Sequence, residues 1–373
     1  MKKYRAVLIG CGRIGETHIG AFASNSERTE LIAVCDPVEE RALEKAADYK
    51  SKVPGAAILP YSDYQKMLCE VKPDIAVIAT ESGKHAQMSI NCLNAGAHVI
   101  CEKPMALSTL DARNMIDVSK KAGKKLAVCF QNRFNPPVGQ LRKAIDEGRL
   151  GKLLHGMVQV RWFRDPPYYA EAPWRGTWAE DGGTLMNQCI HGIDLLQWMM
   201  GGEAVRVHAQ TRRFIRPIEA EDYGAAIVEF KNGAVGIIEG SACIYPDNLN
   251  ETLSVFGECG SVVIGGIAVN KMETWRIADA LEKGDTEETV LNPHEDNSKT
   301  NSTSVYGGGH SALYRDFILA LDEGRDPYVT GEKGIKALEI ILAIYKSQKT
   351  GKAVDLPCEF STMDMQGYDF EPK

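Results

Sequence analysis

An apolar run, Tyr4-Arg5-Ala6-Val7-Leu8-Ile9, meets a turn built on three glycines, Gly10-Cys11-Gly12-Arg13-Ile14-Gly15, and continues into the helix-like Glu16-Thr17-His18-Ile19-Gly20-Ala21-Phe22. This strand–turn–helix unit constrains the fold more than any other stretch of the chain. Gly10 permits the tight turn, Gly12 lets backbone approach a pyrophosphate, and Gly15 lets helix pack on strand. The helix start then offers free N–H groups to phosphate charge. A second apolar run, Leu31-Ile32-Ala33-Val34-Cys35, ends in Asp36, about 20 residues past the last glycine, where a carboxylate accepts from ribose hydroxyls. It also repels a 2′-phosphate, so the expected cofactor is NAD.

Strand and helix patterns keep alternating to about Phe130: a strand over 74–80, a helix over 84–95, a strand over 97–101, a helix over 108–122 and a strand over 125–130. Alternation with continuously apolar strands predicts a parallel sheet covered on both faces. Beyond a helix at 137–147 the strands follow one another at 153–163, 205–213, 223–231, 234–241, 251–257, 261–264 and 269–277, with Asn232-Gly233 as a hairpin turn between two of them. The fold class is therefore α/β, an N-terminal Rossmann domain over 1–130. A C-terminal α+β domain over 131–373 carries a large, mostly antiparallel open sheet, and its C-terminal helices are free to pack back on the first domain. Residues 281–309 read as a long polar loop, and helices at 311–323 and 332–350 follow.

The net charge of −7 gives no electrostatic footprint for nucleic acid or an anionic membrane, and no apolar run is long enough to span a bilayer. Ten scattered cysteines without a C-x-x-C pair suit free thiols in a cytoplasmic protein and no metal site.

Two features supply chemistry. Glu102-Lys103-Pro104 closes the strand at 97–101, so Lys103 stands at the strand edge where open α/β sheets bind ligands. In the second domain a single helix over 184–200 is expected, with Asn187, His191, Asp194 and Trp198 on one face. The opposite face packs on the sheet and this polar stripe faces a cleft. His191 suits general-base work because an imidazole titrates near neutral pH. An ammonium at Lys103 suits a developing alkoxide. Asn187 hydrogen-bonds substrate or the imidazole, and Asp194 fixes its tautomer. A loop crowded with Trp162, Arg164, Tyr168, Tyr169, Trp174, Arg175 and Trp178 suits sugar stacking and anion binding, or equally a subunit interface. Tyr306-Gly307-Gly308-Gly309-His310 opens the penultimate helix, where an anion or an ordinary helix start fits equally.

Together these motifs resemble the glucose-fructose oxidoreductase / inositol dehydrogenase / rhizopine-catabolism (Gfo/Idh/MocA) family over essentially the whole chain. They include the glycine run through His18, Thr80 to His85, Glu102-Lys103-Pro104, Arg133-Phe134-Asn135-Pro136 and Gly182 to Trp198. The resemblance implies catalytic roles for Lys103, His191 and Asn187. It implies NAD contacts from Gly10, Gly12, Arg13, Ile14, Gly15, Asp36, Thr80, His85, Glu102, Lys103, Trp174 and Arg175. Substrate contacts are expected from Lys103, Arg164, Asn187, His191, Tyr306 and His310. Many members carry aspartate where this chain has Asn187. The stretches 185–198, 251–257 and 265–270 are similar to a subgroup that oxidises C3 of UDP-N-acetylglucosaminuronate. The expected activity is oxidation of a ring hydroxyl of a sugar or nucleotide sugar, in a homodimer or homotetramer. An inositol or aldose dehydrogenase, or a non-catalytic NAD sensor, stands as the alternative.

Overall fold

The structure is a computed structural model that describes residues 2–201, 203–283 and 308–370. It divides into two compact units, Met1–Cys129 with His310–Ile335, and Phe130–Gly309 with Lys336–Lys373.

In the first unit β1 (Tyr4–Ile9), β2 (Thr29–Cys35), β3 (Leu59–Tyr61), β4 (Ile75–Ile78), β5 (His98–Cys101) and β6 (Leu126–Val128) alternate with α1 (Gly15–Ser24), α2 (Glu39–Lys52), α3 (Tyr64–Val71), α4 (His85–Asn94) and α5 (Thr109–Ala122). The strands form one parallel sheet in the order β3-β2-β1-β4-β5-β6. Every residue of β4 is buried, as a strand covered on both faces requires. The order reverses between β1 and β4, which places the ligand crevice of such a sheet at their carboxyl ends. α5 shows how local sequence sets an element: the Ser108 side chain accepts from the Asp111 N–H at its start, and Gly123 takes a left-handed conformation at its end. Residues 39–71, which carried no expectation, hold α2, β3 and α3.

The second unit contains α6 (Pro136–Asp146), β7 (Leu153–Arg161), α7 (Pro166–Ala170), α8 (Thr184–Asn187), α9 (Ile190–Met199), β8 (Ala204–Arg212), β9 (Tyr223–Phe230), β10 (Val235–Ser241), β11 (Asn250–Gly257), β12 (Gly260–Gly265), β13 (Lys271–Ile277) and α10 (Ala278–Lys283). With β14 (Val354–Asp355) the strands form an eight-stranded sheet in the order β13-β12-β11-β7-β10-β9-β8-β14. All neighbours are antiparallel except β7 and β10. This is the expected fold class. β9 alternates between buried and open positions, and Gly240 of β10 leaves a Cβ-sized space that Cys189 and Leu185 fill. The hairpin at Asn232-Gly233 is present, with Gly233 at φ +85°. α11 (His310–Glu323) belongs to the first unit, and the unit boundary falls inside α12 (Gly331–Thr350).

The expected single helix over 184–200 is two helices. After α8 the Cys189 N–H reaches back to the Thr184 carbonyl at 3.0 Å, a wide turn that interrupts the regular ladder. The expected loop at 281–309 begins as the end of α10, and its residues 284–307 lie outside the described ones.

Candidate functional site

In the first unit the glycine turn does what its spacing predicts. Gly10 has φ +97°, and a Cβ there would sit 2.3 Å from the Ala79 carbonyl oxygen. A Cβ on Gly12 would meet nothing within 4 Å, so the backbone is open where a pyrophosphate approaches. No side chain caps the start of α1. Asp36 is buried, and its two oxygens accept from the backbone N–H groups of Cys11 and Val38, each at 2.9 Å. The acid is thereby fixed at the end of β2. This cradle fits an NAD, which Gly10, Gly12, Gly15 and Asp36 would hold. Arg13 is exposed, and Ile14 and Thr80 are part-exposed beside it.

His85 differs from the expectation. Its ring is buried, with Nδ1 2.7 Å from the Pro104 carbonyl and Nε2 3.1 Å from the Thr80 carbonyl. The ring thus lies between the loops after β4 and β5 with a carbonyl against each nitrogen, and its single N–H when neutral donates to one of them. Burial lowers its pKa, against the pull of the two carbonyls. Glu102 is also buried, and its Oε2 accepts the Lys103 backbone N–H at 3.1 Å. His310, expected as a substrate contact, is enclosed in this same unit with Nε2 3.4 Å from Glu102 Oε1. Its partner in that expectation, Tyr306, lies outside the described residues.

In the second unit His191 sits in the first turn of α9 and is 7 % exposed. The Gln131 amide is 3.4 Å from its Nε2, and the Phe130 ring meets its own edge-to-face at 5.8 Å. With the amide N–H donating, Nε2 is the lone-pair nitrogen, the tautomer a base needs. Asp194 does not serve this ring. Both its oxygens take the Arg133 guanidinium, at 2.7 and 2.6 Å, with each side chain 1 % exposed. Burial pushes the Asp194 carboxyl above its ordinary value, against the pull of Arg133. Arg133 also lies over the Trp198 ring at 4.7 Å. The polar stripe is therefore split: Asp194 is enclosed in an ion pair and His191 is buried, while Asn187 and Trp198 are part-exposed.

Asn187, at the end of α8, joins a different network. Its amide donates to Asp181, and its carbonyl accepts from Gln188 Nε2 at 2.5 Å. Gln188 in turn receives Arg164 Nε at 2.9 Å and donates to the Tyr168 hydroxyl at 3.0 Å. Arg164 stacks over Trp162 at 4.9 Å and Tyr168 at 5.3 Å, and also reaches Asn248. Arg175 and Trp174 stay within their own loop, with Arg175 over Tyr168 at 4.3 Å and bonded to Glu171. Sequence reasoning missed Asp181, Gln188, Asn248 and Gln131.

A Rossmann unit with an open glycine cradle and a fixed acid at the end of its second strand, in a chain whose second unit offers a buried histidine, points to an NAD-binding oxidoreductase. Residues 4–130 match the description "Oxidoreductase family, NAD-binding Rossmann fold" and residues 142–356 match "Oxidoreductase family, C-terminal alpha/beta domain". The chain belongs to the Gfo/Idh/MocA family and is an NAD-dependent dehydrogenase acting on CH–OH groups. The WlbA dehydrogenase from Bordetella pertussis, solved in complex with NADH and UDP-GlcNAcA, is 38% identical with a TM-score of 0.87, over 96% of this chain and 99% of that one. The WlbA dehydrogenase from Chromobacterium violaceum, solved with the same two ligands, is 36% identical with a TM-score of 0.82, over 96% and 98%. Myo-inositol 2-dehydrogenase from Thermotoga maritima is 28% identical over 94% of this chain and 98% of its own length. Among the described residues no helix is long and apolar enough to cross a membrane.

Proposed function

We propose that this enzyme oxidises a ring hydroxyl of a nucleotide sugar, with C3 of a UDP-N-acetylhexosaminuronate as the best-supported position. The observation that carries this reading is the near full-length similarity to a dehydrogenase solved with NADH and UDP-GlcNAcA. It agrees with an arginine–aromatic network around Arg164 and Tyr168, of the kind that suits a sugar ring with a carboxylate or phosphate.

His191 takes the hydroxyl proton at Nε2 as the carbon–oxygen double bond forms. Lys103 orients the hydroxyl and stabilises the negative charge that develops on its oxygen. Asn187 hydrogen-bonds the substrate, its amide held by Asp181 and Gln188. When bound, NAD supplies the acceptor for the hydride that leaves the carbon. With Asp194 committed to Arg133, His191 works without a carboxylate partner on its own helix.

A second reading keeps these roles and changes the substrate to a free inositol or aldose, on the similarity to myo-inositol 2-dehydrogenase. A thermal-shift panel with NADH present separates them. A ligand at a hundredfold excess over its Kd stabilises by about 2.7 kcal/mol, a readily measured rise in Tm. UDP-N-acetylglucosaminuronate and UDP should each raise Tm, and myo-inositol should not. Stabilisation by inositols alone favours the second reading. Tight NADH binding with no turnover of any sugar favours a sensor.

A further inference from the structure

Glu102 gathers donors from two distant parts of the first unit and from its own neighbour in the chain. Its Oε1 lies 3.1 Å from His18 Nε2 and 3.4 Å from His310 Nε2, and its Oε2 takes the Lys103 N–H at 3.1 Å. His18 comes from α1, just past the glycine turn, and His310 opens α11. The two rings meet edge-to-face at 5.4 Å. The ionised Glu102 can only accept, so His18 Nε2 carries the proton it receives, and the Tyr314 hydroxyl lies 2.8 Å from Nδ1. All three side chains are enclosed, with His18 at 0%, Glu102 at 5% and His310 at 3% exposed.

A carboxylate this deep in protein costs several kcal/mol unless it is hydrogen-bonded. Here burial works to raise the Glu102 pKa, but the bonds from His18 and His310 prevail and hold it well below its ordinary value. Cys129 approaches the same group, with ligand-type atoms of His18, Glu102 and Cys129 within 4.8 Å of one another. Burial pushes that thiol well above its ordinary value, while both oxygens of Glu102 already have hydrogen-bond donors. The cluster is thus satisfied as a hydrogen-bonded anion.

We propose that His18 and His310 are positioning residues that keep Glu102 as a buried anion, whose second oxygen pins the Lys103 backbone and so sets where that lysine stands. The proposal rests on the reading of Lys103 as the substrate-orienting residue. The neighbouring residue is held from the other side, because His85 grips the Pro104 carbonyl. The clamp also links Lys103 to the helix that receives the pyrophosphate and to the start of α11. Neither histidine touches the reacting atoms; each acts through Glu102.

Residue-resolved hydrogen exchange at the Lys103 amide, with NADH bound, tests the clamp without requiring turnover. His310→Leu and Glu102→Leu should accelerate that exchange at least about tenfold, while Ile100 in β5 keeps its wild-type rate. His310→Gln retains an N–H donor of similar reach and should stay within about threefold. If Glu102→Leu fails to fold, the His310→Leu and His310→Gln pair carries the comparison. Where wild-type turnover exists, kcat should fall in the leucine variants with KM for NAD little changed, and glutamine should restore it. Unchanged exchange in the leucine variants overturns the clamp, as does His310→Gln exchanging as fast as His310→Leu. Wild-type inactivity on every sugar would instead sink the dehydrogenase reading, and the exchange rates would still decide the clamp.

Discussion

Replacing Glu221 by glutamine should remove a loss of stability that the wild-type chain suffers as pH rises. Glu221 is completely enclosed in the second unit. Its Oε1 accepts from the Leu185 N–H at 2.9 Å and the Tyr345 hydroxyl at 3.0 Å. A Cβ on Gly183 would come within 1.8 Å of Oε2, so protein backbone closes that side. Burial, with a smaller push from neighbouring Asp222, raises its pKa from 4.5 to about 8 against the bonds from Leu185 and Tyr345. Because the folded pKa is raised, the stabilisation is complete below about pH 4.5 and is lost as pH climbs through about 8. In that window the unfolded chain has released a proton that the folded chain keeps. At about 1.4 kcal/mol for each unit of pKa, the loss reaches at most about 5 kcal/mol. Tyr345, pushed far above its ordinary value by burial, remains a donor throughout.

All five tryptophans lie in the second unit, and Trp178 packs edge-to-face on Tyr345 at 5.1 Å. Tryptophan fluorescence during urea unfolding therefore reports the relevant unit. The stability of Glu221→Gln minus that of wild type should be smallest near pH 5 and should grow by roughly 3–5 kcal/mol toward pH 8.5. The double difference cancels any fixed cost of placing an amide there. A difference that stays flat with pH would refute the reasoning.

Three further outcomes follow from the site geometry. Arg133→Leu leaves Asp194 buried without its partner and should cost about 3–5 kcal/mol in urea unfolding, most of it recovered when Asp194 is also made leucine. Asn187→Asp sets a second carboxylate against Asp181 in place of an amide donor. Its Tm should fall, and fall further at pH 8 than at pH 5, as scanning at the two pH values will show. Asp36→Ser removes a charged acceptor of about 1.5–3 kcal/mol; NADH affinity in fluorescence titration should weaken at least about tenfold, with a relative gain for NADPH.

The nucleotide cradle was legible in sequence because every signal in it is local. Gly10, Gly12, Gly15 and Asp36 sit at fixed offsets from two apolar strands, so their places can be read off the local pattern. The hairpin at Asn232-Gly233 was legible for the same reason. The break between α8 and α9 was not. It accompanies Gln188 meeting Arg164 and Tyr168, contacts that helical periodicity does not encode. Asp194 looked like part of a cleft-facing stripe because its partner, Arg133, lies 61 positions upstream. The Glu102 clamp draws on residues 84 and 208 positions away, so only the strand-end Glu102-Lys103-Pro104 itself was visible. β3 escaped because Leu59-Pro60-Tyr61 is three residues long with a proline at its centre.

Under the proposed function, Lys103 and His191 carry out NAD-dependent oxidation of a nucleotide sugar. Initial rates of NADH formation with UDP-N-acetylglucosaminuronate, measured for wild type, Lys103→Ala and His191→Gln beside their NADH affinities, test it most directly. Wild type should turn over, and each variant should lose about 10²–10⁴-fold in kcat while its NADH affinity stays within a few-fold of wild type. A His191→Gln enzyme at the wild-type rate, or a wild type inert toward every nucleotide sugar, would contradict the account.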